Sequence, residues 1–179
     1  MSHSKTWKTL SSKYVYENPW MQVRHDEVIQ PDGKEGIYGV VEGRDFVCVI
    51  PKVGDKYYMV EQYRYAVKER SLEFPQGGIE KHERAIDAVH RELEEEAALK
   101  SNDITKLGFL YLANGHQTIG FYVYVADHCT PGKHNLDATE QDMITQIRTL
   151  DEIWYDIKNG TIKDATTVSA FGLYMLHSK

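Results

Sequence analysis

Residues 74–99 read FPQGGIEKHERAIDAVHRELEEEAAL, and this stretch decides the fold. Its second half places Glu92, Glu94, Glu95 and Glu96 within five positions. Like charges three or four residues apart on a helix repel, and carboxylates in the last turns of a helix also face the negative end of its dipole. The segment therefore raises the question of what offsets this repulsion.

The acidic residues lie in a segment with the periodicity of an amphipathic helix. Apolar side chains recur at spacings of three and four residues, which predicts one helix from about Ala85 to Leu99. On that helix Glu92, Glu95 and Glu96 occupy positions i, i+3 and i+4 and share one face. Glu94 points away from them, so the four acids are expected to divide into three and one.

Three clustered carboxylates suit a hard divalent cation, which takes oxygen ligands and offsets their repulsion. The preceding pair Gly77 and Gly78 lets the backbone pass close to another group and can bring a main-chain carbonyl to the same ion. Arg91 is placed to pair with a carboxylate from the loop, for which Glu83 is the candidate. The alternative is an acidic helix face that is simply exposed to solvent.

The spacing of the whole segment resembles the signature of the Nudix hydrolases. Gly77 is followed after five residues by Glu83 and, after seven more, by the run RELEEEAAL that starts at Arg91. One position departs from the signature, because the family usually has glycine where this chain has Ala98. Since that glycine closes the helix, we expect a change in how the helix ends and none at the carboxylates.

The resemblance extends to the ADP-ribose pyrophosphatase branch of that family, through the segments NPWMQVRHDEV, VEQYRY, LEFPQGG and NGTIKDATTVSA. It implies an α+β fold, an α/β/α sandwich with a mixed β-sheet and an N-terminal β-rich extension. It also implies a single Nudix domain over residues 1–179, in which residues 1–45 supply strands. Because branch members often exchange such strands, we expect a homodimer.

The resemblance also assigns a metal site and a catalytic group by position. The ion is Mg²⁺ or Mn²⁺, and the groups implied to hold it are the backbone carbonyl of Gln76 and the side chains of Glu92, Glu95 and Glu96. Glu92 and Glu95 also count as catalytic, with Glu83 and Arg91 supporting the site. A divalent ion neutralises pyrophosphate charge and lowers the pKa of an attacking water, so the chemistry agrees with these roles.

The general base for that water is less sharply defined. In this branch it is typically a glutamate on a loop after the strand that here ends near Ala126. Asp137, Glu140 and Asp142 are the candidates, and we favour Glu140. A glutamate of the acidic helix, or a solvated loop acid with no role in catalysis, are the alternatives.

Four residues are expected to bind substrate: Arg64, Glu73, Tyr65 and His116. The guanidinium of Arg64 offers a fork of donors that suits phosphate oxygens. Glu73 resembles a position that joins the metal or substrate shell in this branch, Tyr65 could stack on a base or sugar, and His116 could contact the terminal sugar. Each also has a structural interpretation, as a strand-end arginine, a strand acid, a packing tyrosine and a polar turn residue.

Strand and turn patterns place further elements around the helix. Strands are predicted at Tyr14–Tyr16, Met21–Ile29, Ile37–Glu42, Lys106–Leu112, Ile119–Ala126 and Met143–Ile147, with a hairpin about 53–56. Two helices should close the chain. The first begins with a capping box at Thr149 and Glu152 and ends at Asn159-Gly160, and Asp164 caps the second, which runs toward His177.

Composition excludes several classes of function. The chain has 179 residues, 41% of them hydrophobic and 27% charged, which is ordinary for a globular domain. A net charge of −6 without a basic run argues against a stable nucleic-acid partner. No segment is long and apolar enough for a membrane span, and Cys48 and Cys129 form neither a disulfide framework nor a zinc spacing, which favours a reducing, cytoplasmic setting.

The function expected is metal-dependent hydrolysis of the pyrophosphate bond of a nucleoside diphosphate sugar, ADP-ribose or a relative such as GDP-mannose. The products would be a nucleoside monophosphate and a sugar phosphate. The phrase FPQGG, residues 74–78, is also found in relatives that act on RNA 5′ ends or dinucleoside polyphosphates, so that activity is one alternative. A non-catalytic nucleotide-binding regulator is another.

Overall fold

The computed structural model describes residues 6–133, 136 and 141–177, and these form two compact units. Unit 1 comprises the chain up to residue 44 together with 111–120. Unit 2 comprises residues 45–110 and the chain from 121 onward.

Unit 1 is built on a three-stranded antiparallel sheet with the order β1-β2-β3. Its strands are β1 (Lys8–Glu17), β2 (Met21–Ile29) and β3 (Glu35–Gly43). The turn between β1 and β2 is held by Asn18, whose side-chain oxygen accepts the backbone N–H groups of Trp20 and Met21 at 2.9 and 2.8 Å. At the next turn Gly33 has φ of 88°, a left-handed conformation that glycine adopts without strain. The predicted strands are confirmed, although β1 is longer than its pattern indicated.

Unit 2 contains a seven-stranded mixed sheet. Its strands are β4 (Phe46–Val53), β5 (Lys56–Arg64), β6 (Glu69–Glu73), β7 (Gln76–Gly78), β9 (Asp103–Tyr111), β10 (Gly120–Asp127) and β12 (Ile144–Arg148). The main path is β12-β5-β4-β10-β9, with β6 paired to β5 and β7 to β4. Strand β10 runs parallel to β4, whereas β5 and β7 run antiparallel to it. A short pair, β8 (Leu99–Lys100) with β11 (Thr130–Pro131), lies apart from this sheet.

Helices cover both faces of this sheet because β4 is apolar on both sides. Val47 and Val49 belong to a buried cluster with Leu93 of helix α1 (Ala85–Ala97). Cys48 and Ile50 belong to a second cluster, with side chains of α2 (Leu150–Asn159) and α3 (Ala165–His177). Alternate residues of one strand thus face opposite layers, as the period of a β-strand requires. The predicted α/β/α sandwich with a mixed sheet is confirmed.

The predicted helix signals also hold at α2 and α3. Thr149 and Glu152 form the reciprocal capping box, and Gly160 ends α2 with φ of 79°. The carboxylate of Asp164 accepts the backbone N–H of Thr167 at 2.7 Å, which caps α3. No helix in the described part of the chain is both long and apolar enough to cross a membrane.

Helix α1 ends two residues earlier than its apolar pattern predicts. Ala98 adopts the left-handed conformation with φ of 52°, and Leu99 starts β8. The backbone N–H of Ala98 bonds to the carbonyls of Glu94 and Leu93, which satisfies the helix end. The apolar pattern continued to Leu99 because that side chain is buried in the same cluster as α1, not because it is helical.

Candidate active site

The site is assembled where the last turns of α1 face strand β7. Glu92 is only 5% exposed, and its carboxyl group lies against the backbone of Gly77. A Cβ atom added at Gly77 would overlap both oxygens and the Cδ of this carboxyl group. Glycine is therefore required here by close approach, and the carboxylate occupies the space that a side chain would fill.

Glu96 lies on the same helix face, one turn further along. It is 1% exposed, and its Oε2 accepts the backbone N–H of Gln76 at 2.9 Å. Two of the three carboxylates predicted as metal ligands are thus almost fully buried beside the strand that carries Gln76. A buried carboxylate is costly unless hydrogen bonds or cations compensate its charge.

Arg91 supplies much of that compensation. Its Nε and Nη2 donate to the two carboxylate oxygens of Glu83, both at 3.0 Å, and Nη2 also donates to the carbonyl of Gly78 at 2.8 Å. Its Nη1 contacts Glu92 and donates to Glu95 at 3.2 Å. Hydrogen bonds from Arg91 lower the pKa of Glu83, and those with Glu83 raise the pKa of Arg91. The predicted pairing of Arg91 with Glu83 is confirmed.

Glu94 is separated from this group, as its position on the helix predicts. Its carboxylate forms an ion pair with Lys100 at 2.8 Å. The division of the four acids into three and one is therefore present in the structure.

The donor set matches a hard divalent cation in its chemistry. Glu92, Glu95 and Glu96 offer only carboxylate oxygens, the ligand type that Mg²⁺ prefers. Among the described residues, however, no three acidic, histidine or cysteine side chains converge as a ready-made metal cluster. Arg91 instead holds the carboxylates of Glu92 and Glu95, and Gln76 that of Glu96.

Two of the predicted substrate residues form a second charged group beside the first. Arg64, at the end of β5, makes a two-pronged ion pair with Glu73, at the end of β6, with Nε at 2.9 Å from Oε1. Gln76 donates its side-chain amide to the same carboxylate. Burial disfavours the charge of Glu73, which is 2% exposed, but the hydrogen bonds and charge of Arg64 outweigh burial and lower its pKa.

The second group lines a cavity of about 520 Å³ within unit 2. Arg64, Glu73, Gln76 and Gly77 line it, so the cavity adjoins the backbone on which Glu92 packs. Its volume lies within the usual range for small-molecule sites.

Comparison with known proteins places this site in a family. Residues 42–170 match the family model described as the NUDIX domain. The chain belongs to the Nudix family. Residues 7–41 match a second model, the nucleoside diphosphate sugar hydrolase N-terminal domain. The resemblance seen in the motif is thus confirmed, and the protein is a Nudix pyrophosphohydrolase.

The chain is also similar to individual known proteins. The methanol dehydrogenase activator of Bacillus methanolicus is 28% identical over 165 residues, which cover 91% of this chain and 89% of that protein. The ADP compounds hydrolase NudE of Escherichia coli is 29% identical over 105 residues, covering 59% and 55%. A crystal structure of an ADP compounds hydrolase shares the fold with a TM-score of 0.85 at 22% identity, covering 94% of this chain and 92% of that one.

The two remaining predicted substrate residues of this Nudix protein lie in different units. Tyr65 is 85% exposed in the turn after β5 and is absent from the lining. His116 belongs to unit 1, where its carbonyl accepts the backbone N–H of Val41 at 2.8 Å.

The candidates for the Nudix general base are only partly described. Asp137 and Glu140 lie outside the described residues. The carboxylate of Asp142 accepts a hydrogen bond from Arg70 at 2.8 Å and one from the backbone N–H of Tyr63 at 3.2 Å. These bonds give Asp142 a structural role in tying its segment to β5 and β6.

The sequence interpretation missed three charged residues of the Nudix cavity. Glu69, Lys163 and Asp164 line it, and Lys163 pairs with Glu69 at 3.0 Å. The segment NGTIKDATTVSA contributed to the resemblance, and Asp164 was predicted only as a helix cap. Contact between Lys163 and Glu69 joins residues 94 positions apart, which no local pattern reveals.

Proposed function

We propose that the chain hydrolyses the pyrophosphate bond of nucleoside diphosphate sugars and releases a nucleoside monophosphate and a sugar phosphate. ADP-ribose is the first substrate to test, with GDP-mannose as a related candidate. The names of the ADP compounds hydrolases support an adenosine diphosphate substrate. The match of residues 7–41 to a nucleoside diphosphate sugar hydrolase domain supports a sugar as the second moiety.

The observation that carries the proposal is the contact between helix α1 and strand β7, whose residues line the cavity. Glu92 packs on Gly77, and Gln76 bonds to Glu96, so the carboxylates lie directly behind the wall of a cavity of about 520 Å³. A diphosphate held at this wall would place its bridging bond beside the acidic group, with the rest of the substrate in the cavity.

We propose that Glu92, Glu95 and Glu96, with the carbonyl of Gln76, hold Mg²⁺ or Mn²⁺. When bound, such an ion supplies charge neutralisation for the phosphates and lowers the pKa of a coordinated water. The two buried acids and the excess of negative charge on this helix face fit a cation.

Arg91 and Glu83 act as positioning residues in this proposal. Arg91 ties the carboxylates of Glu83, Glu92 and Glu95 to the carbonyl of Gly78, so one side chain fixes the helix relative to the strand. Glu140 remains our proposed general base. The hydrogen bonds made by Asp142 favour this choice over Asp142.

On the substrate side, Arg64 and Glu73 are proposed to act together. The guanidinium of Arg64 is oriented by Glu73 and is 39% exposed, so it can also meet a phosphate oxygen at the cavity. Tyr65 and His116 remain proposed contacts to the base or sugar.

We further propose one functional domain that works as a cytoplasmic homodimer without a stable nucleic-acid partner. Strand β1 is exposed along its whole length. Large apolar side chains of unit 1 are exposed, among them Trp7, Tyr14, Val15, Trp20 and Ile37. Exposed apolar surface of this kind is typical of an interface.

A regulatory role is the second candidate function. The relative from Bacillus methanolicus, which aligns with 91% of this chain, is named as an activator of a dehydrogenase. Hydrolysis of RNA 5′ ends or of dinucleoside polyphosphates remains the enzymatic alternative, on the strength of the FPQGG segment.

A substrate panel distinguishes these functions. ADP-ribose, GDP-mannose, a diadenosine polyphosphate and RNA with a 5′-triphosphate are incubated with the protein in Mg²⁺ and, as a control, in EDTA. Release of AMP or GMP with a sugar phosphate, abolished by EDTA, is the expected result. Hydrolysis of RNA alone would contradict the proposal, and absence of hydrolysis throughout would favour the regulator.

A further inference from the structure

The lining of the cavity in unit 2 includes two ion pairs. Arg64 pairs with Glu73 by a two-pronged contact, and Lys163 lies 3.0 and 3.2 Å from the two oxygens of Glu69. Both lysine and arginine of the lining are thus already matched with a carboxylate of the same wall.

A fifth charged group shifts the balance to negative. Asp164 also lines the cavity, where its carboxylate accepts the backbone N–H of Thr167 at 2.7 Å and the amide of Gln76 at 3.4 Å. The position at the start of α3 stabilises this negative charge. Among the described residues of the lining, three carboxylates therefore face two cations, which is a net charge of −1.

This balance disfavours any phosphate beyond the diphosphate, whose charge the proposed metal ion would neutralise. An additional phosphate would face three carboxylates and two cations, and both cations already pair with a carboxylate. Like charges at short range oppose binding, and the effect is strongest where walls exclude water. Uncharged hydroxyl groups, by contrast, can donate to Glu69 and Asp164 and accept from Lys163.

The apolar part of the lining favours a sugar over a nucleobase. Phe46 is the aromatic side chain among the lining residues, and its ring already stacks on Phe121 with centroids 5.1 Å apart. Tyr65, the other aromatic residue considered for stacking, is outside the lining. A nucleobase commonly stacks on an open aromatic face, whereas a sugar ring needs hydrogen-bonding groups of the kind that Glu69, Ser71 and Asp164 offer.

We infer that this cavity binds the terminal sugar of the substrate and selects sugars that carry no additional phosphate. The inference rests on the proposed function, because it places the diphosphate beside the acidic helix. In this inference Glu69 is a specificity residue, because its carboxylate cancels the positive charge of Lys163 that would otherwise attract a phosphate.

Two modified substrates test the inference. Both are ADP-ribose with one extra phosphate, placed either on the anomeric carbon of the terminal ribose or on the adenosine ribose. The wild-type protein should hydrolyse the first with kcat/KM at least about tenfold below that of ADP-ribose, a loss of the size expected for close like charges. The second should be affected less, because its extra phosphate lies outside the cavity.

Glu69→Gln removes one carboxylate and releases Lys163 from its pair. The ratio of kcat/KM for the sugar-phosphorylated substrate to that for ADP-ribose should rise by about fivefold, the scale of one partly exposed charge pair. The matched control is Asp103→Asn, which changes the net charge equally but removes an exposed pair with His128 outside the cavity. Its ratio should equal that of the wild type.

The outcomes separate the two levels of the proposal. Equal hydrolysis of both modified substrates, or an unchanged ratio in Glu69→Gln, would overturn the inference and leave the proposed function intact. Selection against the adenosine phosphate instead would show that the nucleoside occupies the cavity. Failure to hydrolyse ADP-ribose and GDP-mannose would overturn the proposed function and, with it, this inference.

Discussion

Gly77→Ala should displace the carboxylate of Glu92 while leaving the fold nearly as stable. A Cβ atom at Gly77 would overlap the whole carboxyl group of Glu92, which is only 5% exposed and has little free space. Moving that side chain off its rotamer costs about 0.5–1.5 kcal/mol. The Gly-to-Ala change returns about 0.4–1 kcal/mol by restricting the unfolded chain. The free energy of unfolding should therefore fall by less than about 1 kcal/mol.

The effect on hydrolysis should be much larger. Displacing Glu92 disturbs a proposed metal ligand, and disturbances of that kind typically cost about 10–100-fold in activity or metal affinity. Initial rates of AMP release from ADP-ribose, measured over a Mg²⁺ titration, give both the activity and the apparent metal affinity. Thermal unfolding followed by circular dichroism gives the stability of the fold.

Gly78→Ala is the matched control for this variant. A Cβ atom at Gly78 meets no heavy atom within 4 Å, and both glycines have a φ outside the left-handed region, so alanine is not strained at either. Gly78→Ala should lose at least about tenfold less activity than Gly77→Ala, because it leaves the ligand in place. Equal losses of activity in the two variants would refute the reasoning that Gly77 is needed to keep the carboxylate of Glu92 in place for hydrolysis.

Three further predictions concern helix α1 and the residues at its two ends. Ala98→Gly should raise the free energy of unfolding by roughly 0.5–1 kcal/mol, measured by thermal melts, since a left-handed alanine costs about 1–2 kcal/mol and glycine loses part of that gain through its flexible unfolded state. Hydrogen bonds from Arg91 lower the pKa of Glu83 below the ordinary 4.5. The ionised Glu83 therefore stabilises the folded protein fully above pH 4.5, and this contribution is lost as the pH falls through the lowered pKa. The difference in unfolding free energy between wild type and Glu83→Gln, taken from urea melts, should therefore shrink below about pH 4. Glu95→Gln should lower turnover by about 100-fold or more with the fold intact, while Glu94→Gln should remain within about twofold of wild type in the same ADP-ribose assay.

The part of the site that could be predicted is the part carried by one helix. The side chains of Glu92, Glu95 and Glu96 share a face because helical geometry alone puts them there. The pairing of Arg91 with Glu83 was also predictable, since it spans only eight residues. The end of helix α1 was harder to predict, because the apolar pattern continues to Leu99. Leu99 is buried but belongs to strand β8, and Ala98 ends the helix in the left-handed conformation.

Other parts of the cavity and its surroundings depend on tertiary contacts that the sequence does not display. Strand β7 is the tripeptide QGG, and glycine is depleted in strands, so its pairing with β4 has no local signal. Asp142 reaches Arg70 across 72 positions, and Lys163 reaches Glu69 across 94. Side-chain type alone could not tell that Lys163 completes the wall of a cavity.

Contacts with Arg91 and with the backbone of Gln76 offset part of the repulsion among the carboxylates of helix α1. Arg91 brings one positive charge to three carboxylates, and the main chain of Gln76 serves the fourth, Glu96. This group therefore combines four carboxylates with one guanidinium and carries an excess of negative charge. The neighbouring wall does not help, since each of its cations is matched by its own carboxylate. An anionic diphosphate would therefore meet excess negative charge on both sides, and a divalent cation is the species that would reverse this sign at the acidic helix.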